Sequence, residues 1–142
     1  MPVKKEIVRR KLLDIEQAVS RLRTWAPSSA QALSTDFMLC WAVERGLQVA
    51  AEALFDAGNH VLSGGFHETV NQYREIPVRL VAVGVIRAET GQRLAGLAGF
   101  RNVLVHDYAE VDLEKVQSVL TRLSDFEAFA ADVLAWLDTC PD

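Results

Sequence analysis

Apolar side chains recur every third or fourth residue in five stretches of this chain, a spacing that predicts helices. In the first stretch, about residues 3–25, Ile7, Leu12 (or Leu13), Ile15, Val19 and Leu22 share one face, and Lys4, Lys5, Arg9, Arg10 and Lys11 fall largely on the other. Ala26-Pro27-Ser28-Ser29 then breaks the pattern, because proline removes a backbone donor and small polar residues favour turns. The longest stretch, about 35–62, carries Phe37, Cys40, Trp41, Leu47, Ala51, Leu54 and Val61 on a wide stripe. Its length and apolarity make it the central helix, with Ser34, Thr35 or Asp36 as N-cap and Gly64 as a left-handed C-cap. Residues 63–75 are polar and without a period, so they form a loop, of the kind that carries function or moves. A short helix follows at about 77–86, opening on a proline tolerated in a first turn; its Val and Ile also suit a strand, but the helical neighbours favour helix. Two further helices, about 89–105 and 112–137, carry Leu94, Leu97 and Leu104, then Val116, Leu120, Leu123, Phe126, Phe129, Val133 and Leu137. Four long helices and a short one, joined by short links, predict an all-α, up-and-down helical bundle forming a single domain over 1–142.

One charge interrupts the apolar stripe of the central helix. Glu44 lies a turn from both Cys40 and Leu47, with Arg45 beside it. Two accounts stay open: a pairing that ties helices together, or the border of a functional cleft. Against 15 Lys and Arg stand 19 Asp and Glu, a net charge of −4, which argues against a protein that coats nucleic acid by neutralising many phosphates. A local site for one phosphate remains compatible with that balance, and the basic run of the first helix is read as a solvated face. Cys40 and Cys140 lie far apart and outside any CxxC or Cys/His cluster, so no metal site, cofactor or disulfide framework is expected. The N-terminus turns charged at once, and no run approaches the roughly 20 apolar residues that cross a bilayer. A soluble, cytoplasmic protein without membrane association is expected.

Candidate chemistry concentrates in Arg101-Asn102-Val103-Leu104-Val105-His106-Asp107-Tyr108. On a helix turning about 100° per residue, Asn102 and His106 nearly align, whereas Arg101 and His106 lie about 140° apart. One copy of a regular helix therefore does not aim both at a single point. Either the helix unwinds near His106, or two copies meet and share a site. The residue types suit phosphodiester cleavage: an imidazole that moves a proton near neutrality, a guanidinium that offers a fixed fork of donors to a phosphate, and an amide that orients either. Together they would support metal-independent attack of a ribose 2′-hydroxyl on the adjacent phosphate. A purely structural role, packing and capping at the end of a helix, is the competing reading.

The R-x4-H-x-Y string, at the end of the fourth of five predicted helices, resembles the HEPN superfamily and in particular the HepT-like toxins. Ala42-Val43-Glu44-Arg45-Gly46-Leu47-Gln48, Asn59-His60 and Gly99-Phe100 extend the likeness over most of the chain. The resemblance implies a HEPN-like bundle and an RNase toxin acting on RNA, for example tRNA or mRNA, as a homodimer whose Arg and His converge on a shared cleft. It implies Arg101 and His106 as catalytic, with Asn102 in support. It further implies a cognate antitoxin of the MNT nucleotidyltransferase type, which attaches AMP to the motif tyrosine, here Tyr108. The acidic pI near 5.4 leaves a second expectation open, a weakly cleaving helical module whose main task is to bind that partner.

Overall fold

The computed structural model describes residues 3–26, 29–106 and 112–141, with the side chains of Val105 and His106 outside the description. Every regular element among the described residues is a helix: α1 (Lys5–Trp25), α2 (Ala30–Thr35), α3 (Phe37–Phe66), α4 (Glu75–Ala82), α5 (Ala88–Arg93), α6 (Leu97–His106), α7 (Leu113–Leu120) and α8 (Ser124–Thr139). None is long and apolar enough to cross a membrane.

α3 is the axis of the bundle because its apolar arc is wide enough to serve several neighbours: α1, α2, α4, α6 and α8 all pack on it. α1 runs antiparallel to it. Late in α1, Leu22 fills the space beside Gly46, and early in α1, Lys11 lies 3.6 Å from Asp56. α8 is antiparallel to α1, since Arg23 pairs with Glu127 while Arg9 faces Asp138. Val8, Ile15, Leu22, Leu47, Leu54, Val61, Val133 and Leu137 fill the space between these three helices and are shut off from solvent. Burying side chains of this size stabilises by roughly 1.5–3 kcal/mol each before conformational entropy is subtracted.

α4 spans Glu75–Ala82 where about 77–86 was expected, and the structure departs from the predicted boundaries in three other places, each for a local reason. Asp36 is the cap of α3, its carboxylate accepting from Leu39 N–H at 3.0 Å, but Ser34 and Thr35 belong to the separate short helix α2. Gly64 does not end α3. The helix runs on to Phe66 and closes at His67 in the left-handed region (φ 57°), whose N–H bonds back to Leu62 O. The bare Gly65 admits Trp136, which comes within 3.2 Å of where a Cβ would stand, and Phe66 packs on that indole at 5.7 Å. Contact with α8 thus outweighs the poor helix propensity of glycine, about 1 kcal/mol per residue. Finally, the predicted helices 89–105 and 112–137 are each divided in two. Gly96 (φ 89°) turns the chain between α5 and α6. Between α7 and α8 the chain tightens, Arg122 N–H bonding Val119 O and Asp125 N–H bonding Arg122 O. Leu120, Leu123 and Phe126 stay buried through that turn, so the apolar period does not reveal it.

Candidate functional site

Arg101 lies on the inward stripe of α6, between buried Leu97 and Leu104, and its side chain is only 16% exposed. A cation there needs compensation. α3 supplies it: Glu52 Oε1 lies 3.5 Å from Arg101 Nη2 and also accepts from Gln48 Nε2 one turn earlier, at 3.2 Å. Tyr73, from the segment between α3 and α4, lays its ring 4.6 Å from Arg101 Cζ, a cation–π contact. That ring in turn stacks on buried Phe55 at 5.1 Å. Arg101 Nη1 donates to Asn102 Oδ1 at 3.3 Å. Arg101 Nε is buried and has no acceptor among the described residues, a state that costs about 1–3 kcal/mol.

Tyr73 separates two cavities. On the Arg101 side, a cavity of about 210 Å³ is lined by Glu52, Phe55, Asp56, Tyr73 and Arg101. On the Asn102 side, a groove of about 420 Å³ includes Asn59, Asn71, Gln72 and Arg74 in its walls. A larger hollow of about 620 Å³ opens on the other flank of α6, against α7 and the start of α8, and holds none of the predicted site residues.

The backbone of α6 stays helical through His106, which sets positions 101 and 106 about 140° apart around its axis. No unwinding occurs up to that residue. Asn102 is exposed. The His106 side chain and the whole of Asp107 and Tyr108 lie outside the described residues. Glu44 and Arg45 stand apart from this cluster, since Glu44 precedes Glu52 by two turns, roughly 12 Å along α3. Glu44 Oε1 accepts from Cys40 Sγ at 2.9 Å, Arg45 is exposed, and neither lines the three cavities. Burial, and then the neighbouring Glu44, push the Cys40 thiol up to about 12. Glu52 and Tyr73 were not singled out in the sequence, and Gln48 only as part of the family-like string. The available signal was the position of Arg101 on an apolar stripe, which calls for a carboxylate across the helix interface.

A family model described as ribonuclease HepT-like matches residues 15–133. The chain belongs to the HepT-like family. This HepT-like chain is 29% identical over 125 residues to the mRNA nuclease HepT of Shewanella oneidensis, a match covering 87% of the chain and 93% of that protein. Among solved structures it is similar to a tri-AMPylated Shewanella oneidensis HEPN toxin in complex with MNT antitoxin, with a TM-score of 0.81 and 28% identity, covering 91% of this chain and 97% of that one. A toxin–antitoxin complex with AMP-PNP gives a TM-score of 0.78 at 26% identity, covering 89% and 97%. The Bacillus subtilis cytosolic protein YutE, of unknown function, shares the fold at a TM-score of 0.84 and 20% identity, covering 96% and 92%. The HEPN-like, all-α architecture expected from the sequence is the architecture of this HepT-like chain.

Proposed function

We propose that this HepT-like protein is the toxin of a toxin–antitoxin pair, a cytoplasmic endoribonuclease that acts as a homodimer and needs no metal ion. In this reading a nucleotidyltransferase antitoxin neutralises it by attaching AMP to Tyr108. The observation that carries the reading is Arg101, a guanidinium held by Glu52, Tyr73 and Asn102 and lining a cavity, within the R-x4-H-x-Y string. The relatives support it in their own terms: one is an mRNA nuclease, and another is an AMPylated toxin bound to an MNT antitoxin.

His106 takes the proton from a ribose 2′-hydroxyl, and that oxygen attacks the adjacent phosphorus. The 5′-oxygen leaves with a proton from the imidazole of the second copy. The products are a 2′,3′-cyclic phosphate and a 5′-hydroxyl. Arg101 meets the negative charge that grows on the non-bridging oxygens, and Asn102 orients a phosphate oxygen or the imidazole. Two features support a homodimer. The angular separation of positions 101 and 106 keeps one copy from gripping a phosphodiester with both. In addition, Phe37, Met38 and Trp41 are 74%, 84% and 71% exposed and fall within about 100° of the same α3 face as Glu52. A bulky anionic adduct on Tyr108, two residues from His106, opposes RNA by occlusion and repulsion.

The test is cleavage of labelled single-stranded RNA in the presence of a chelator. Wild type cuts, and His106→Ala and Arg101→Ala each lose at least about 100-fold in rate while keeping their helical circular dichroism. Unchanged cleavage by His106→Ala sinks the reading. The antitoxin half is tested by incubating the chain with its genomic neighbour nucleotidyltransferase and ATP, and weighing it intact; no adduct at Tyr108 ends that half. A second reading, a weakly cleaving module that mainly binds the nucleotidyltransferase, draws on the ion pair already engaging Arg101 and the net charge of −4. It predicts modification of Tyr108 without cleavage by wild type.

A further inference from the structure

The groove beside Asn102 differs in chemistry from the other two hollows. The cavity at Arg101 carries the carboxylates of Glu52 and Asp56, and the large hollow behind α6 carries those of Asp112 and Asp125. The groove has no carboxylate among its described lining residues. It has instead four carboxamides, Asn59, Asn71, Gln72 and Asn102, with the guanidinium of Arg74. In a chain of net charge −4, this is the one of the three where a polyanion meets amides and a cation without an opposing carboxylate.

The groove's polar capacity is also unspent. The side chains of Asn59, Asn71, Gln72 and Arg74 make no hydrogen bond or ion pair to any described residue. Asn102 uses its oxygen to accept from Arg101, which leaves its NH₂ to donate elsewhere. A carboxamide carries a donor and an acceptor side by side, the pattern that base edges present. Val70, Ile76, Ala98 and Gly99 add an apolar lining suited to the face of a ring. At about 420 Å³ the groove falls within the roughly 300–1,000 Å³ typical of small-ligand sites. Proteins that read single-stranded RNA hold splayed bases in this manner, by edge hydrogen bonds and by stacking on rings or guanidinium planes.

We infer that this groove is a nucleobase subsite, which holds one unpaired base of the RNA strand next to the phosphodiester that Arg101 grips. The inference rests on the ribonuclease reading and deepens it. Asn71 and Gln72 read the base edge, Arg74 faces its phosphate or its ring, and Asn102 links the bound base to Arg101. The base thereby sets the register of the strand, so that the scissile phosphate stops at the guanidinium.

The test uses single-stranded RNA oligonucleotides made uncleavable by 2′-O-methyl sugars, with each base in turn replaced by an abasic residue. Affinity for the protein is measured by fluorescence anisotropy. In wild type, one abasic position costs on the order of tenfold in affinity and the others cost little. In Asn71→Ala/Gln72→Ala that same position costs clearly less, because the protein's edge contacts to the base are already gone. Circular dichroism and a melting curve establish that the double variant is folded. Uniform abasic losses in wild type, or a loss that persists undiminished in the double variant, overturn the subsite. If cleavable RNA is cut while the abasic profile is flat, the ribonuclease reading stands and the subsite falls. If the profile shows the coupled position while cleavable RNA survives, the subsite stands and the ribonuclease reading falls.

Discussion

Arg101 is a cation on an apolar stripe, and its neighbours decide what its presence costs. Among the described residues, removing Glu52 leaves the guanidinium with one amide oxygen and one aromatic ring. Glu52 is itself 37% exposed, so solvent screens the pair, and the full penalty of about 3–5 kcal/mol for breaking a buried pair does not apply. Glu52→Ala is expected to destabilise the fold by roughly 1 kcal/mol and to lower RNA cleavage as Arg101 loses its fixed direction. Urea denaturation and a cleavage assay check both, and unchanged values for the two would show that the pair does nothing. Cys40 gives a pH prediction. Its thiol ionises near 12 in the fold against an ordinary 9.0, raised first by burial and then by Glu44. A raised value favours the protonated native state, so this contribution is intact below about 9 and fades as pH climbs towards 12. Melting curves across that window should fall less steeply for Cys40→Ala than for wild type. Cys40 should also resist alkylation at pH 8, where half-exposed Cys140 reacts. At this scale the candidate string from Arg101 to Tyr108 could be picked out because its residues are contiguous, and the structure describes its Arg101 end. Glu52 and Tyr73 could not, because periodicity identifies the face a residue occupies without naming the residue opposite.

Helix boundaries turn on single glycines with opposite roles. Gly96 holds φ at 89° with open space where a Cβ would go, so its constraint is purely conformational. Gly99, three residues on and inside α6, also meets nothing within 4 Å but lies in ordinary helical backbone. Gly96→Ala should therefore destabilise by about 1–2 kcal/mol, and Gly99→Ala should stabilise by about 0.5–1 kcal/mol. Chemical denaturation of the two variants decides it, and equal signs would contradict the assigned turn between α5 and α6. The sequence pattern could not place that turn, nor the one between α7 and α8. Leu94 and Leu97 are both buried across the first, and the apolar stripe passes through the second, so a bent helix and a straight one read alike. Where a side chain caps an end, as Asp36 and Asp112 do, the boundary was readable.

The packing of α1, α3 and α8 follows from their stripes, since three long amphipathic helices in one small bundle have few other ways to bury their faces. That the helix of the candidate string packs against α3 did not follow, because α6 is short and its stripe includes a charge. The exposed turn at the start of α3 is the face the proposed homodimer would cover. Trp41→Glu should shift the assembly towards a single copy in analytical ultracentrifugation and reduce cleavage with it. A variant that keeps the wild-type mass and rate would remove this face from the proposed interface.

Trp41 has a practical consequence as well. It is 71% exposed, against 39% for Trp25, and Trp136 is half-buried against Phe66. Ultraviolet emission from the free chain should therefore carry a red, water-quenched component belonging mainly to this one indole. Anything that covers the face should shift that component to the blue, in unlabelled protein and in real time. The HepT-like chain carries its own optical gauge of whether α3 is capped.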